Sequence, residues 1–425
     1  MRVLHVIGLG TLPEDPETQP IQGVARVALE IARAQVRQGH RVWVVAPSER
    51  AWQRTWQGVS VMGLRLASWA HFRWGRRHYD LRAWVPLAFF TWRRRFDIVH
   101  AHGLRRFRPL RGRVRLGHFH YDPIWDDREG TLQAQAAEFR RVARDTDAQI
   151  AVSHFVGQRL RHGIEAATAD GAFGANIHVV PNAVDQTAFE PKGLGEARRR
   201  LREQWGFEDR HVVFLFSGAI VPEKGVMTLA QAFLEVVDRR PEARLVLAGG
   251  ARLWGSVSQD GPDQEDSYEA RVRELLTAGV NDGVVRLLDV MPATAMPGTY
   301  AASDVVVAPS EWQEAFCLSI LEGMAAGKPA IASNVGGIPE FVDERNGLLV
   351  EPGDVSALVA SMDHMIREPA FRSRLSQGAL DTAARYTWPR AAQAVEALYK
   401  ELLEGAGHDG AAKASQAPDA PVPGA

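Results

Sequence analysis

The chain is poor in cysteine and in lysine. One cysteine, Cys317, stands among 425 residues. That excludes an intrachain disulfide and a zinc site built on several thiolates, and it fits a reducing compartment. Five lysines (Lys192, Lys224, Lys328, Lys400 and Lys413) stand against 45 arginines. No apolar run approaches the roughly 18 residues that a spanning helix needs. The opening Met1-Arg2-Val3-Leu4-His5-Val6-Ile7 is too short for a signal-peptide core and reads as a first strand. The expectation is a cytoplasmic protein. With 46% hydrophobic and 24% charged residues the composition is that of a globular chain, long enough for two domains of about 200 residues each.

The net charge of −1 hides an asymmetry: residues 1–190 carry 27 Arg, no Lys and 18 acidic residues, so the surplus of base there is balanced by acid in the remainder. Between 65 and 115, 14 Arg face only Asp80 and Asp97. Trp69, Trp74, Trp84, Trp92, Phe89 and Phe90 are interleaved with them. Arginine mixed with large aromatics suits a surface of anionic headgroups or an anionic acceptor. A solvated basic face with its aromatics in the core is the competing reading, and nucleic acid is not expected.

Strand and helix patterns alternate along the chain. Arg2–Ile7, Arg41–Ala46, 97–100, 115–120, 149–152 and 177–180 read as strands, with a helix from Gly23 to Gln38. The pattern restarts at Val212–Phe216 and continues through strands at 244–248, 284–288, 305–308, 329–333 and 347–350. Helices are expected at 226–237, 268–276 and 318–326. Such alternation means parallel sheets covered by helices on both faces, so each half makes one doubly wound α/β domain. Residues 385–404 carry a C-terminal helix. The Gly-, Ala- and Pro-rich stretch 405–425 should be disordered, and 254–265 a flexible loop.

Gly8-Leu9-Gly10 follows the first strand, but the third glycine of a dinucleotide fingerprint is missing and prolines follow, so a nicotinamide cofactor is not expected. Gly23 opens a helix whose N–H groups suit an anion, although a tight turn would also want glycine. Gly218 to Gly225 reads Gly-Ala-Ile-Val-Pro-Glu-Lys-Gly directly after an apolar strand, where open sheets bind ligands. Lys224 there is a compact charge fit for phosphate in a chain that otherwise uses arginine. From Ser303 to Glu340, Glu314 precedes a helix that contains Glu322. At 1.5 Å per residue the two carboxylates lie up to about 12 Å apart along the axis, spaced to hold two sugar rings of one ligand. Their helix N-terminus would lie between, beside a phosphate. Cys317 reads as a small structural residue rather than a nucleophile. His118-Phe119-His120-Tyr121-Asp122 follows a strand, and a substrate-facing His120 is preferred to a metal set.

Taken together these residues resemble the family 4 retaining glycosyltransferases of GT-B fold. The resemblance runs to about residue 404. It rests on Gly23 and its helix, Phe96–Gly103 (Phe-Asp-Ile-Val-His-Ala-His-Gly), Val152-Ser153-His154-Phe155 and Val180–Asp185. It continues with Pro222-Glu223-Lys224-Gly225, the Glu-x7-Glu pair Glu314 and Glu322, Gly327-Lys328-Pro329 and Asn334–Glu340. The resemblance implies two Rossmann-like domains facing a central cleft. Residues 1–184 would form the acceptor side, with helix 385–404 packing back on it, and residues 185–384 would bind a nucleotide sugar. It also implies that Glu322 holds the ribose, and that Glu314 and the amides of Phe316, Cys317 and Leu318 hold the donor sugar. Lys224 would neutralise the leaving diphosphate, His120 would face the reacting sugar, and Gly23 and Gly218 would border the donor. No metal or cofactor is implied. The acceptor would be a glycan, a lipid-linked molecule or a small molecule. One departure matters: the family commonly carries an Arg five residues before the Lys, and here that position is Ala219. A silent nucleotide-sugar-binding protein, or an epimerase or phosphorylase of the same architecture, remains an alternative.

Overall fold

The computed structural model describes residues 1–8, 12–19, 21–68, 71–74, 77–103, 110–124, 131–168, 176–254 and 267–415. Two parallel sheets form the frame. From edge to edge the first runs Trp52–Trp56, Val59–Arg65, Arg41–Ser48, Arg2–Ile7, Ile98–His102, Val114–Phe119, Ala148–Ala151 and Ile177–Val179. Only the edge strand Trp52–Trp56 is antiparallel to its neighbour. The second runs Val285–Leu288, Ala243–Ala248, Val212–Ser217, Val305–Ala308, Ala330–Ser333 and Gly347–Val350, all parallel. In each sheet the first strand of its half is central and the order reverses beside it. That crevice at the strands' carboxyl ends is where doubly wound sheets place ligands.

The central strands are apolar on both faces because helices cover both. In the first sheet Leu4, Val6, Val99 and Ala101 pack toward Phe139 and Val156. Val3, Ile7, Ile98 and Leu116 pack toward the helices Gly23–Arg37 and Trp388–Ser415. The C-terminal helix thus returns to the first half, burying Trp388, Val395, Leu398 and Tyr399 against it. The chain crosses between the halves at two adjacent places, where Val184 N donates to the Tyr386 carbonyl at 3.0 Å.

Several features differ from the sequence reading. The C-terminal helix does not end at 404 but continues to Ser415. Alanine at 406, 411, 412 and 414 is the best helix former, so the stretch is not read as coil from its glycines alone. Of the expected disordered tail, 416–425 lie outside the described residues, as do most of the loop 254–265 and Leu9-Gly10. The strands Trp52–Trp56 and Val59–Arg65 and the hairpin His71–Trp74 with Arg77–Asp80 were not anticipated. Trp52–Trp56 is the sheet edge and the hairpin forms a separate two-stranded sheet, and there polar and arginine residues replace the apolar runs of a central strand. Val59–Arg65 lies one strand in and alternates buried with half-buried residues.

Candidate functional site

The site is built where the second sheet's carboxyl ends meet the first half. Strand Val305–Ala308 leads into Pro309-Ser310 and then into the helix Leu318–Ala325. Gly225, in the left-handed region at φ +62°, lets the Pro222–Lys224 turn press on this segment: a Cβ there would fall 1.9 Å from the Pro309 carbonyl oxygen. The approach delivers Lys224 Nζ to Glu314 Oε1 at 2.5 Å, and the same oxygen accepts from Ser310 Oγ at 2.6 Å. Burial opposes the charge on Lys224 most strongly, but Glu314, Cys317 and Glu223 together hold the ammonium above its ordinary pKa. Glu314 is itself set from behind, since its carbonyl accepts from Gly337 N at 2.7 Å.

Glu322 points back from the helix toward the first half, only 6% exposed. Its partner is Arg26, on the helix that begins at Gly23. Burial works against the Arg26 charge, yet Glu322 and then Glu30 raise its pKa. The fully buried Tyr300 flanks the pair, and burial followed by the Glu322 charge pushes its phenol far above the ordinary range. Gly23 is close to the same place: a Cβ on it would lie 3.9 Å from Leu318 Cδ1. Neither the helix starting at Gly23 nor the one starting at Leu318 has a side-chain cap bond. Two helix starts rich in N–H groups therefore converge on one region, where an anion is favoured. Beside them a cavity of about 660 Å³ opens between the halves, with Arg26, Glu30, Arg33, Asp185, Met291 and Thr299 in its lining.

The remaining residues fall as follows. Cys317 occupies the helix start at φ +67°, with its thiol pushed up to about 11 by burial and by Glu314, which agrees with a structural rather than nucleophilic role. Phe316 is buried and stacks on Phe341 at 4.8 Å, so only its backbone can serve a ligand. Gly218 N donates to the Ala248 carbonyl at 3.0 Å, fixing the strand end, and Ala219 next to it is buried. His120 is not near these groups by any hydrogen bond; its Nε2 pairs with His102 Nδ1 at 2.9 Å. Two overlapping sets, His5–His100–His102 and His102–His118–His120, bring one ring nitrogen each within 4.8 Å of one another. They are the imidazole sets among the described residues whose donor chemistry suits a divalent ion.

Sequence reasoning missed Arg26 and Tyr300, and it quoted Ser310 and Glu340 within motifs without giving them a role. Glu340 closes the halves together: its carboxylate accepts from His154 N at 2.8 Å and Phe155 N at 2.7 Å. It thereby caps the start of the helix His154–Ala167. A carboxylate at a helix N-terminus is favoured by the exposed amides and the dipole. Ser310, four residues before Glu314, offered a local signal; the other three depend on contacts between distant segments.

Comparison with known proteins bears on this arrangement. The family model described as glycosyl transferases group 1 matches residues 197–381, and the one described as Glycosyltransferase Family 4 matches residues 21–187. A D-inositol 3-phosphate glycosyltransferase of Corynebacterium jeikeium is 32% identical over 254 residues, 60% of this chain and 57% of the relative. The chain thus spans a little over half the length of the curated relatives it matches. Among solved structures, Anabaena HepE in complex with UDP and glucose aligns with a TM-score of 0.70 at 19% identity, over 94% of this chain and 99% of that one. Sucrose-phosphate synthase from Thermosynechococcus elongatus aligns with a TM-score of 0.70 at 18% identity, over 95% and 100%.

Proposed function

The chain belongs to the GT-B glycosyltransferases, and on that footing we propose that it transfers a hexose-type sugar from a nucleoside diphosphate sugar to an acceptor with retention of anomeric configuration. One observation carries the reading: two carboxylates are each paired with a cation, Glu314 with Lys224 within the second half and Glu322 with Arg26 across the two halves. A nucleotide sugar offers matching chemistry. Its diphosphate takes the cations, while its sugar and ribose hydroxyls donate to the carboxylates that the cations release.

Sugar transfer leaves a diphosphate that carries the developing negative charge, so fixed cations and helix amides aimed at it are the main requirement. Lys224 and the amides at the start of Leu318–Ala325 supply these. Arg26 takes the part of the second cation that Ala219 cannot play. Glu322 binds the ribose and Glu314 the donor sugar, with His120 facing the reacting sugar from the first half. The charge is met by side chains and backbone, so the proposal requires no metal or cofactor. Residues 1–184 are assigned to the acceptor and 185–384 to the donor.

For the acceptor we propose an anionic or lipid-linked molecule met at a membrane surface. On the helix Trp84–Arg93, Phe89 is 54% and Trp92 62% exposed, three residues apart and therefore on one face. Arg93 lies over the Phe89 ring and Arg94 over Phe90, at 5.6 and 4.4 Å to the centroids. A groove of about 720 Å³ runs alongside, lined by Trp52, Met62, Phe89 and both arginines. The relatives named for D-inositol 3-phosphate support an anionic acceptor class. Among the described residues no helix is long and apolar enough to cross a membrane. Many arginines of the 65–115 stretch, Arg73, Arg76, Arg105, Arg106 and Arg108 among them, lie where side chains are outside the described residues. A thermal-shift panel of UDP-, GDP- and ADP-hexoses, followed by product analysis, tests the function. Stabilisation by one donor with sugar transfer supports it, and a change confined to the nucleotide sugar favours the epimerase alternative.

A further inference from the structure

Five histidines form a ladder inside the first sheet. His5, His100, His102 and His118 lie on three neighbouring parallel strands, with His5 in register with His100 and His102 with His118. His120 follows at a strand's carboxyl end, two residues on and so directed to the same face. Stacked pairs run through the ladder, His100 on His102 at 4.4 Å and His102 on His120 at 5.2 Å between centroids, while His118 and His120 lie tilted at 4.1 Å. All five are held neutral: burial lowers His5 to about 4 and His120 to about 3, and the other three well below the ordinary value.

A neutral imidazole has one N–H and one lone pair, so each hydrogen bond fixes the next tautomer. Two arms start at the amide of Gln35, a fully buried residue of the helix Gly23–Arg37. In the first, the Gln35 carbonyl Oε1 can only accept, so His5 donates from Nε2 at 2.9 Å. His5 Nδ1 must then accept from His102 Nε2, and His102 Nδ1 from His120 Nε2, each at 2.9 Å. In the second, Gln35 Nε2 donates to the Tyr399 oxygen at 3.3 Å, and the Tyr399 hydroxyl donates to His100 Nδ1 at 2.6 Å. His100 Nε2 then donates to His118 Nδ1 at 3.1 Å. The arms end on two buried atoms that have no hydrogen-bond partner among the described residues, His120 Nδ1 and His118 Nε2. By this accounting the first is a bare lone pair and the second an N–H.

We propose that Gln35 is a positioning residue for His120. Acting through His5 and His102, its carbonyl oxygen holds the His120 imidazole as the Nε2–H tautomer and leaves Nδ1 as an acceptor for a hydroxyl of the bound sugar or acceptor. The proposal rests on the reading of His120 as the residue that faces the reacting sugar. Both nitrogens of His102 are spent in the relay, so the set His102–His118–His120 retains two open nitrogens, one of them protonated. It acts as a relay and not as an ion site. The relay also explains why a helix behind the sheet carries a buried amide aimed into it: reversing that amide would reverse both arms together.

The test uses the full chain labelled with 15N-histidine, in which two-bond proton–nitrogen correlations separate the tautomers. The expected wild-type result is Nε2–H at His120, with Nδ1 bare. Gln35→Leu should give His120 a mixture of tautomers and lower turnover about tenfold, with KM for the donor within about twofold. Tyr399→Phe should disturb His100 and His118 and leave His120 as it was, which a general loosening of the helix contact would not do. A wild-type His120 protonated at Nδ1 overturns the proposal, and that measurement needs no variant. Unchanged His120 tautomer and turnover in Gln35→Leu overturns it as well. The expected tautomers in a protein that transfers no sugar would sustain the relay and instead refute the transferase reading.

Discussion

Arg26 and Glu322 form an ion pair although 296 residues separate them in the chain. One sits on the first helix of the N-terminal half, the other on the helix proposed to receive the donor. Their bond ties the halves together at the place where the nucleotide is proposed to bind.

Glu322→Gln should therefore weaken binding of the free nucleoside diphosphate about tenfold, or roughly 1.4 kcal/mol. Arg26→Ala should do the same, and the double variant should lose less than the sum, because the residues share one network. Calorimetry measures all three. Unchanged affinity in both single variants would reduce the pair to a tie between the halves.

Gly336 predicts how the Glu314 segment is held. It lies at φ +58°, and a Cβ there would fall 2.0 Å from the Glu314 carbonyl oxygen. Gly336→Ala should cost about 2–4 kcal/mol in urea unfolding and also reduce turnover. Gly353 has a similar φ of +77° but open space around it, so Gly353→Ala should cost only about 1 kcal/mol. Equal costs at the two positions would dismiss the steric account.

Much of this was legible in the sequence because the second half announces itself. The apolar strands, the Pro222–Gly225 turn and the Glu-x7-Glu spacing are local patterns, and they place Lys224, Glu314 and Glu322. Arg26 carried no such signal. It looks like one more arginine on an amphipathic helix until the halves close and bring Glu322 to it. Gln35 is similar, reading as the polar edge of its helix although it is fully buried beneath the C-terminal helix. The edge strand Trp52–Trp56 was missed because Gln53, Arg54 and Thr55 interrupt the continuous apolar run that central strands display.

The exposed Phe89 and Trp92 predict salt-sensitive attachment to anionic vesicles. Each arginine near such a surface contributes about 1 kcal/mol. Co-sedimentation at low salt, about 50 mM, should favour anionic over neutral vesicles and weaken as ionic strength rises. Changing Arg93, Arg94 and Arg95 to Ser should abolish it. No preference for anionic vesicles would leave a soluble acceptor as the better reading.

The histidine ladder predicts acid sensitivity. His5 is lowered from 6.5 to about 4 in the folded state, so below pH 6.5 the unfolded chain binds the proton that the folded chain refuses. Stability is then complete above about pH 6.5 and falls as the pH drops toward 4, by up to about 1.4 kcal/mol per unit for each such histidine. Urea unfolding at stepped pH should show this slope. His5→Gln should make the slope shallower by one histidine's share, and an unchanged slope would place the titration elsewhere.

Lys224 bears most directly on the central claim, because its charge has no role in the proposed chemistry except to receive the leaving diphosphate. With the donor identified by the thermal-shift panel, turnover is compared between the wild type and Lys224→Ala at saturating donor. The account predicts a loss of about 2–4 kcal/mol of transition-state stabilisation, on the order of 30- to 1,000-fold in rate, in a variant that remains folded. Turnover within about threefold of wild type would contradict it.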